Sequence, residues 1–164
     1  MTNVIRKGAG IAFQADDDRA RLIVSGSDTD GRYSLLEWTV AAGSRLNDSE
    51  PRDFGPHIHR ECEEGFLIRS GSLEFLIGAE VVTLEAGDYV RVPPGVVHGY
   101  ANTSGKPVEM LVSFYPGGFE ELFLKYRNDQ PEIKGAGFIA DATSLHGSEF
   151  GLPNPPGVQG KSAD

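Results

Sequence analysis

Short runs of alternating hydrophobic and polar residues extend along the chain as far as Tyr115, and turn-forming residues interrupt them about every 8–12 positions. Alternation places successive side chains on opposite faces of a β-strand, and this spacing of turns is typical of an all-β sandwich or barrel. The pattern predicts strands at 21–25, 33–40, 64–69, 72–77, 80–84, 89–92, 98–102 and 108–115. The predicted fold class is therefore all-β.

The connections between these strands follow from the turn residues. The pairs Ser70-Gly71 and Gly78-Ala79 each separate two predicted strands closely enough to join them as β-hairpins. Residues 44–56 contain two prolines and show no clean period, so we interpret this segment as a long loop.

The period changes after the last predicted strand. Phe119, Leu122, Phe123 and Tyr126 follow the i, i+3, i+4, i+7 spacing of one helical face, which predicts an amphipathic helix over about 119–128. The apolar face of this helix must be buried. It either packs as ordinary core or covers the mouth of a cavity.

The chain has 164 residues, which is enough for one well-cored domain. We divide it into four segments that differ in pattern and composition. They are an N-terminal segment that adds an edge strand (1–30), a β-barrel core (31–116), a C-terminal helical segment (117–150) and an exposed tail rich in proline and glycine (151–164).

Acidic residues predominate, with 24 Asp and Glu against 15 Lys and Arg and a net charge of −9. This balance argues against nucleic acid or an anionic membrane as a partner. No apolar run approaches the roughly 20 residues that span a bilayer, and nothing near the N-terminus resembles a signal peptide. Cys62 is the single cysteine, which excludes an internal disulfide and suits a reducing compartment, so we expect a cytoplasmic protein.

Three of the four histidines lie in two short segments. His57 and His59 are two residues apart, so on a strand both imidazoles point to the same face, and His98 opens a later predicted strand. Glu63 and Glu64 follow the first pair closely. Imidazoles together with a carboxylate form a ligand set suited to Fe, Ni, Co, Mn, Cu or Zn.

Each of these residues also has a simpler interpretation when it is taken alone. A His-x-His pair is often a surface feature of a strand, and a glutamate in a turn is usually solvated. His146 lies in Ser-Leu-His-Gly without a nearby partner and is predicted to be structural or exposed. Cys62 lacks the second cysteine of a soft metal centre and is predicted to be a small turn residue.

Two motifs in the same region resemble those of the cupin superfamily. The first, in outline Gly-x5-His-x-His-x3-4-Glu-x6-Gly, is matched by His57, His59, a glutamate and Gly71. Glu64 leaves six residues before Gly71, as the motif requires, so it is preferred and Glu63 is the fallback. The second motif, Gly-x5-Pro-x-Gly-x2-His-x3-Asn, is matched by Gly87, Pro93, Gly95, His98 and Asn102.

The resemblance implies that His57, His59, Glu64 and His98 are the ligands of one divalent transition-metal ion. The chain departs from the first motif at Pro51, where the family has its opening glycine. This departure concerns the entry to the site rather than its ligands.

Segments 25–34 and 115–123 and the helix that follows are similar to small single-domain cupins of the quercetin dioxygenase-like group. The resemblance implies a single cupin (jelly-roll) antiparallel β-barrel with a short C-terminal helix. It further implies a small-molecule substrate and a homodimer.

The implied function is a metal-dependent, dioxygenase-like enzyme acting on a small enolisable aromatic or polyketide-like compound. Glu64 would serve as general base, and Phe66 and Ile68, which share its alternation, would line the cavity or belong to the core. One alternative is a non-oxidative metal-dependent cyclase, isomerase or epimerase. The other is a non-catalytic cupin that binds a small ligand; a DNA-linked sensor is disfavoured because the sequence shows no helix-turn-helix.

Overall fold

The computed structural model describes residues 4–15, 17–43, 55–126, 136–150 and 152. Most of the predicted 44–56 loop, the predicted helix end at 127–128 and all of the predicted tail except Leu152 lie outside these residues.

In this part of the chain the structure is mostly antiparallel β, with one 3₁₀ turn at Gly26–Thr29 and two α-helices. The strands are β1 (Ile11–Ala15), β2 (Asp18–Val24), β3 (Ser34–Val40), β4 (Ile58–His59), β5 (Glu63–Ser70), β6 (Ser72–Ile77), β7 (Glu80–Glu85), β8 (Tyr89–Val92), β9 (His98–Ala101), β10 (Val108–Tyr115) and β11 (Ser148–Glu149). The helices are α1 (Glu120–Tyr126) and α2 (Ala136–His146).

The strands form a six-stranded sheet in the order β1-β2-β3-β10-β5-β8, a three-stranded sheet in the order β7-β6-β9 and a small pair, β11-β4. Strand pairing within the described residues does not close into a continuous ring. The all-β jelly-roll prediction is confirmed in this open, double-sheet form. No helix in the described part of the chain is long and apolar enough to cross a bilayer.

The core lies between the two larger sheets. Strand β3 shows the alternation that builds it, since Ser34, Leu36, Trp38 and Val40 are buried while the residues between them are only partly covered. Across the gap, Phe66 of β5 and Phe75 of β6 meet with ring centroids 4.9 Å apart. Burial of such side chains from both sheets is the main stabilising contribution to this fold.

One predicted hairpin is wrong. β6 and β7 do pair across Gly78-Ala79, but β5 pairs with β10 and β8, whereas β6 pairs with β7 and β9. Gly71 is therefore a corner at which the chain leaves one sheet for the other. It has a φ of +80°, and a Cβ there would lie 2.8 Å from Val108 Cγ2, so this corner requires glycine.

The predicted amphipathic helix is α1, preceded directly by Phe119. Phe119, Leu122 and Phe123 are buried, and Tyr126 is only partly buried. Glu120 is also buried, and its carboxylate accepts the backbone N–H groups of Gly26 at 2.5 Å and of Gly118 at 2.6 Å. These bonds fix the start of α1 against the 3₁₀ turn.

A second helix and a strand follow that the sequence analysis did not predict. α2 is joined to α1 by Asp141, which accepts hydrogen bonds from Lys125 Nζ and from Tyr126 Oη at 2.6 Å. β11 then pairs with β4, and Arg60 forms an ion pair with Glu149 beside this ladder. Leu152 is half-buried, and its N–H donates to the carbonyl of Pro56.

Candidate metal centre

Four side chains from three strand regions converge in the interior. One potential ligand atom from each of His57, His59, Glu64 and His98 lies within 4.8 Å of the others, and all four residues are buried. His57 and His98 pair through their backbones, with N–O distances of 3.0 Å and 2.9 Å. This bridge brings the His-x-His segment beside β9, and β5 supplies the carboxylate.

The Nδ1 atoms of two of the imidazoles are held by hydrogen bonds to backbone carbonyls. Nδ1 of His57 lies 2.8 Å from the carbonyl oxygen of Gly55, and Nδ1 of His98 lies 2.9 Å from that of Val96. Carbonyl oxygens only accept, so in both rings Nδ1 carries the hydrogen. In a neutral ring Nε2 then presents its lone pair, which is the form that binds a metal ion.

The contact between His98 and Glu64 tests whether a cation fits this site. Nε2 of His98 lies 2.9 Å from Oε2 of Glu64, and Nε2 of His59 lies 3.4 Å from the same oxygen. Because Nδ1 of His98 already donates to Val96, the His98–Glu64 contact in a neutral ring sets two acceptors against each other. A positive charge, either an extra proton or a metal ion, is required to stabilise it. The donor set therefore fits a transition-metal ion.

The electrostatics of the cluster follow from burial. Burial alone would raise the pKa of Glu64, but the hydrogen-bonded contacts with His59 and His98 outweigh it and lower that pKa to about 2. The pKa of His57 lies well below its ordinary value because burial disfavours the charged ring, and His98 and His59 add repulsion. The carboxyl group is thus ionised at neutral pH inside an apolar setting.

The two adjacent glutamates lie on opposite faces of β5. Glu64 is in the cluster, whereas Glu63 forms an ion pair with Arg91 on the outer face. The spacing to Gly71 that distinguished the two acids in the sequence is matched by this placement. The ligand and catalytic roles of Glu64 remain proposals.

A cavity of about 20 Å³ adjoins the cluster, room for about one water-sized group. The described residues around it are mostly apolar or aromatic: Trp38, His57, His59, Glu64, Phe66, Tyr100, Val112, Phe114, Phe119 and Phe123. Phe66 thus lines the cavity, and Ile68 is buried core outside that lining. Phe123 of helix α1 and Phe119, the residue just before it, form one wall of the cavity, so this segment both packs in the core and encloses the site.

The structure shows the surroundings of His146 and Cys62, the two residues that the sequence analysis did not assign to the metal site. His146 is half-buried outside the cluster, with its ring centroid 5.2 Å from that of Phe119, a placement that agrees with the prediction that it is structural or exposed. Burial lowers its pKa. Cys62 is buried, and mainly this burial raises its pKa to about 12, so it is an unreactive thiol at neutral pH.

The sequence analysis missed two residues of the C-terminal segment that touch the cluster. The hydroxyl of Ser148 lies 2.7 Å from Nδ1 of His59, and the ring of Phe150 stacks on His57 with centroids 5.3 Å apart and an interplanar angle of 11°. Neither residue lies in a motif or a periodic segment. Both residues are placed by the pairing of β11 with β4, a long-range contact that no local sequence pattern indicates.

The fold and the cluster together define a class: an antiparallel double-sheet protein with a buried three-histidine, one-carboxylate group. Residues 48–114 match the family model described as a cupin domain. The chain is 29% identical over 114 residues to quercetin 2,3-dioxygenase of Bacillus subtilis, covering 70% of this chain and 31% of that protein. It is 38% identical over 61 residues to an uncharacterised protein of Aquifex aeolicus, covering 37% of this chain and 50% of the other.

Solved structures show the same fold. KdgF from Halomonas sp. matches with a TM-score of 0.59 at 13% identity, covering 71% of this chain and 97% of that one. A predicted oxalate decarboxylase from Thermotoga maritima matches with a TM-score of 0.59 at 18% identity, covering 69% of this chain and 98% of that one. The Streptomyces nucleoside dehydratase Pac13 matches with a TM-score of 0.55 at 16% identity, covering 74% of this chain and 88% of that one.

The chain carries all four residues of the cluster within its match to the cupin domain model at residues 48–114. It spans about a third to a half of the length of the curated relatives it matches, and the structural matches at these identities establish the fold alone.

Proposed function

We propose that this cupin is a metal-dependent, dioxygenase-like enzyme that acts on a small enolisable aromatic or polyketide-like compound. His57, His59, Glu64 and His98 would hold one divalent transition-metal ion. The observation that carries the proposal is the buried carboxylate among three imidazoles at the edge of an aromatic cavity. The similarity to a quercetin 2,3-dioxygenase over 70% of the chain supports the oxidative version.

A bound divalent ion would supply a positive charge that lowers the pKa of a substrate hydroxyl and stabilises the anion. The chain's own residues supply the rest. Glu64 lines the cavity and is ionised, so it can accept the hydroxyl proton from a substrate whose oxygen enters the cluster. The bonds of Gly55 and Val96 to the imidazoles hold two rings in place during this transfer.

The aromatic wall acts on the rest of the substrate. Phe114, Phe119 and Trp38 offer flat apolar surfaces to a ring or an enol and exclude water from the anion. The enolate then supplies the electrons for reaction with O₂, and both oxygen atoms end in the products, so no external reductant is consumed. Because the cavity is only about 20 Å³, an aromatic substrate enters only when part of this wall moves.

The same site would serve a cyclase, isomerase or epimerase that uses the acid–base step without O₂, or a non-catalytic cupin that binds a small ligand. The cytoplasmic location, the homodimer and the absence of a nucleic-acid partner remain predictions, as do the domain boundaries.

Metal analysis followed by O₂ uptake tests the proposal. The purified protein is assayed for bound metals, stripped with a chelator, reloaded with single metals and offered a panel of small flavonols and enols. We expect metal-dependent O₂ consumption, with both atoms of ¹⁸O₂ in the products. Conversion of the substrate without O₂ would instead establish the non-oxidative enzyme. Tight ligand binding without turnover would establish the binding protein.

A further inference from the structure

We propose that Ser148 is a positioning residue for His59, so that the C-terminal segment 136–150 completes the metal centre from outside both cupin motifs. The proposal rests on the metal site under Proposed function. It adds a residue that neither motif contains, contributed by the segment least predictable from the sequence.

The first observation is the hydrogen bond itself. Ser148 is fully buried, and its hydroxyl oxygen lies 2.7 Å from Nδ1 of His59. His57 and His98 have backbone carbonyls at the same ring position, and a backbone carbonyl stays in place under any substitution. Among the hydrogen bonds of the described residues, Nδ1 of His59 is held by a side chain, whereas Nδ1 of His57 and of His98 is held by a backbone carbonyl. When Nδ1–H of His59 donates to the Ser148 hydroxyl, Nε2 of His59 faces Glu64 with its lone pair available to a metal ion.

The second observation is that the position of Ser148 does not depend on this bond. Ser148 pairs with His59 and Glu149 pairs with Ile58 in the β11–β4 ladder, and Arg60 holds Glu149 beside it. The segment has further anchors on either side of Ser148, in Asp141 of α2 and in the stacking of Phe150 on His57. Loss of the hydroxyl alone therefore leaves the segment docked and frees only the ring of His59.

A matched set of variants isolates the hydroxyl. Ser148→Ala removes it and Ser148→Thr retains it. Ser148→Cys keeps the shape with a weaker acceptor. Ser144→Ala, on the exposed side of the same segment, removes a hydroxyl that, among the described residues, bonds the carbonyl of Asp141. Each metal-free protein is titrated with Co²⁺ against a chelator of known affinity. The visible spectrum of the Co²⁺ form reports the coordination of the ion.

We expect Ser148→Ala to bind Co²⁺ about 10–100-fold more weakly than the unmodified protein, the range for loss of an outer partner of a ligand histidine. Its Co²⁺ spectrum should change, while the metal-free melting temperature stays close to that of Ser144→Ala. Ser148→Cys should fall between, and Ser148→Thr should restore binding. This pattern supports the proposal, because a purely structural serine would change the melting temperature and leave the spectrum as it was.

Two results would overturn the proposal in distinguishable ways. If Ser148→Ala and Ser148→Cys bind Co²⁺ with unchanged affinity and spectrum while His98→Ala does not bind it, the metal site stands and Ser148 has no part in it. If the unmodified protein binds Co²⁺ no better than His98→Ala, the metal site itself is wrong and the role of Ser148 falls with it.

Discussion

Glu64 and Glu37 offer two versions of one arrangement, a carboxylate held between two nitrogen-bearing side chains. Glu64 lies between His59 and His98 with 8% of its side chain exposed. Glu37 lies on the outer face of the large sheet between Arg21 and Arg69, with 34% exposed. Contacts with the nitrogen partners lower the pKa of both carboxyl groups.

The difference is what each carboxylate requires. The guanidinium groups beside Glu37 are permanent cations in contact with water. The charge of this carboxylate is therefore already compensated, and its exposed ion pairs contribute little to stability. Glu64 has imidazoles for partners in an apolar interior, where its charge needs a further cation. The exposed triad is an ordinary surface feature, and the buried one is the place where we expect chemistry. The following experiments break or sharpen this contrast, from the largest expected effect to the smallest.

His98→Ala should have the largest effect. It removes one of four converging groups, so metal affinity should fall by more than the roughly 10–100-fold that loss of an outer partner costs. His146→Ala, which removes a histidine outside the cluster, should retain the metal. Metal content after dialysis against a weak chelator measures both. A folded His98→Ala protein with full metal content and activity would contradict the assignment.

Glu64→Gln should affect turnover more than metal content. The amide keeps the size of the side chain but cannot take a proton, so turnover should fall by about 10²–10⁴-fold. Glu63→Gln, which breaks only the exposed pair with Arg91, should be nearly neutral. Steady-state kinetics and metal content are measured on both variants. If Glu63→Gln instead loses turnover while Glu64→Gln is nearly neutral, the choice of Glu64 over Glu63 is wrong.

Phe123→Ala tests the wall beside the buried carboxylate. Phe123 is buried against Trp38 and Phe114 and also lines the cavity, so truncation should lower the free energy of unfolding by about 3–5 kcal/mol and raise the KM of the remaining folded enzyme. Phe75→Ala is the control, because Phe75 is equally buried but lies outside the cavity lining. Urea unfolding and kinetics at a temperature where both are folded separate the two. Equal kinetic changes in both variants would show that α1 acts only as core.

Glu37→Gln should have the smallest effect. Because the folded-state pKa of Glu37 is lowered, chiefly by Arg21, its stabilisation is present above the ordinary pKa and is lost as the pH falls through the folded value. At pH 7 the variant should lose about 0.2–1 kcal/mol per broken pair, and the loss should shrink in acid and in 1 M salt. Urea unfolding at pH 7 and in acid, with and without salt, measures this. A loss of several kcal/mol would remove the contrast with Glu64.

Much of the sheet could be predicted because its strands carry their own alternation. β3 shows it plainly, β10 is a mostly apolar run suited to a buried strand, and each forms close to the predicted bounds. The hairpin across Gly71 failed because a serine and a glycine between two strands look the same in sequence whether the chain turns back or crosses to another sheet. Only the long-range partners of β5 and β6 distinguish the two cases.

The convergence of the four polar side chains was predictable through the spacing of the two motifs, and it depended on resemblance more than on any property of a single histidine. The C-terminal half of the site was not predictable. The α2 segment, AGFIADATSLH, has no clear stripe of large apolar residues, and β11 has two residues and therefore no period. The position of β11 is set by its pairing with β4, some ninety residues away, and the local sequence pattern does not indicate such a long-range partner.

The position of β11 along the chain also sets an order in time. Ser148 follows His98 by fifty residues, so a ribosome adding about 5–20 residues per second makes it roughly 3–10 s after the last of the four cluster residues. During that interval the four cluster residues have been synthesised and segment 136–150 has not. The contacts of Ser148 with His59 and of Phe150 with His57 are therefore among the last that the cluster can gain as the chain is made.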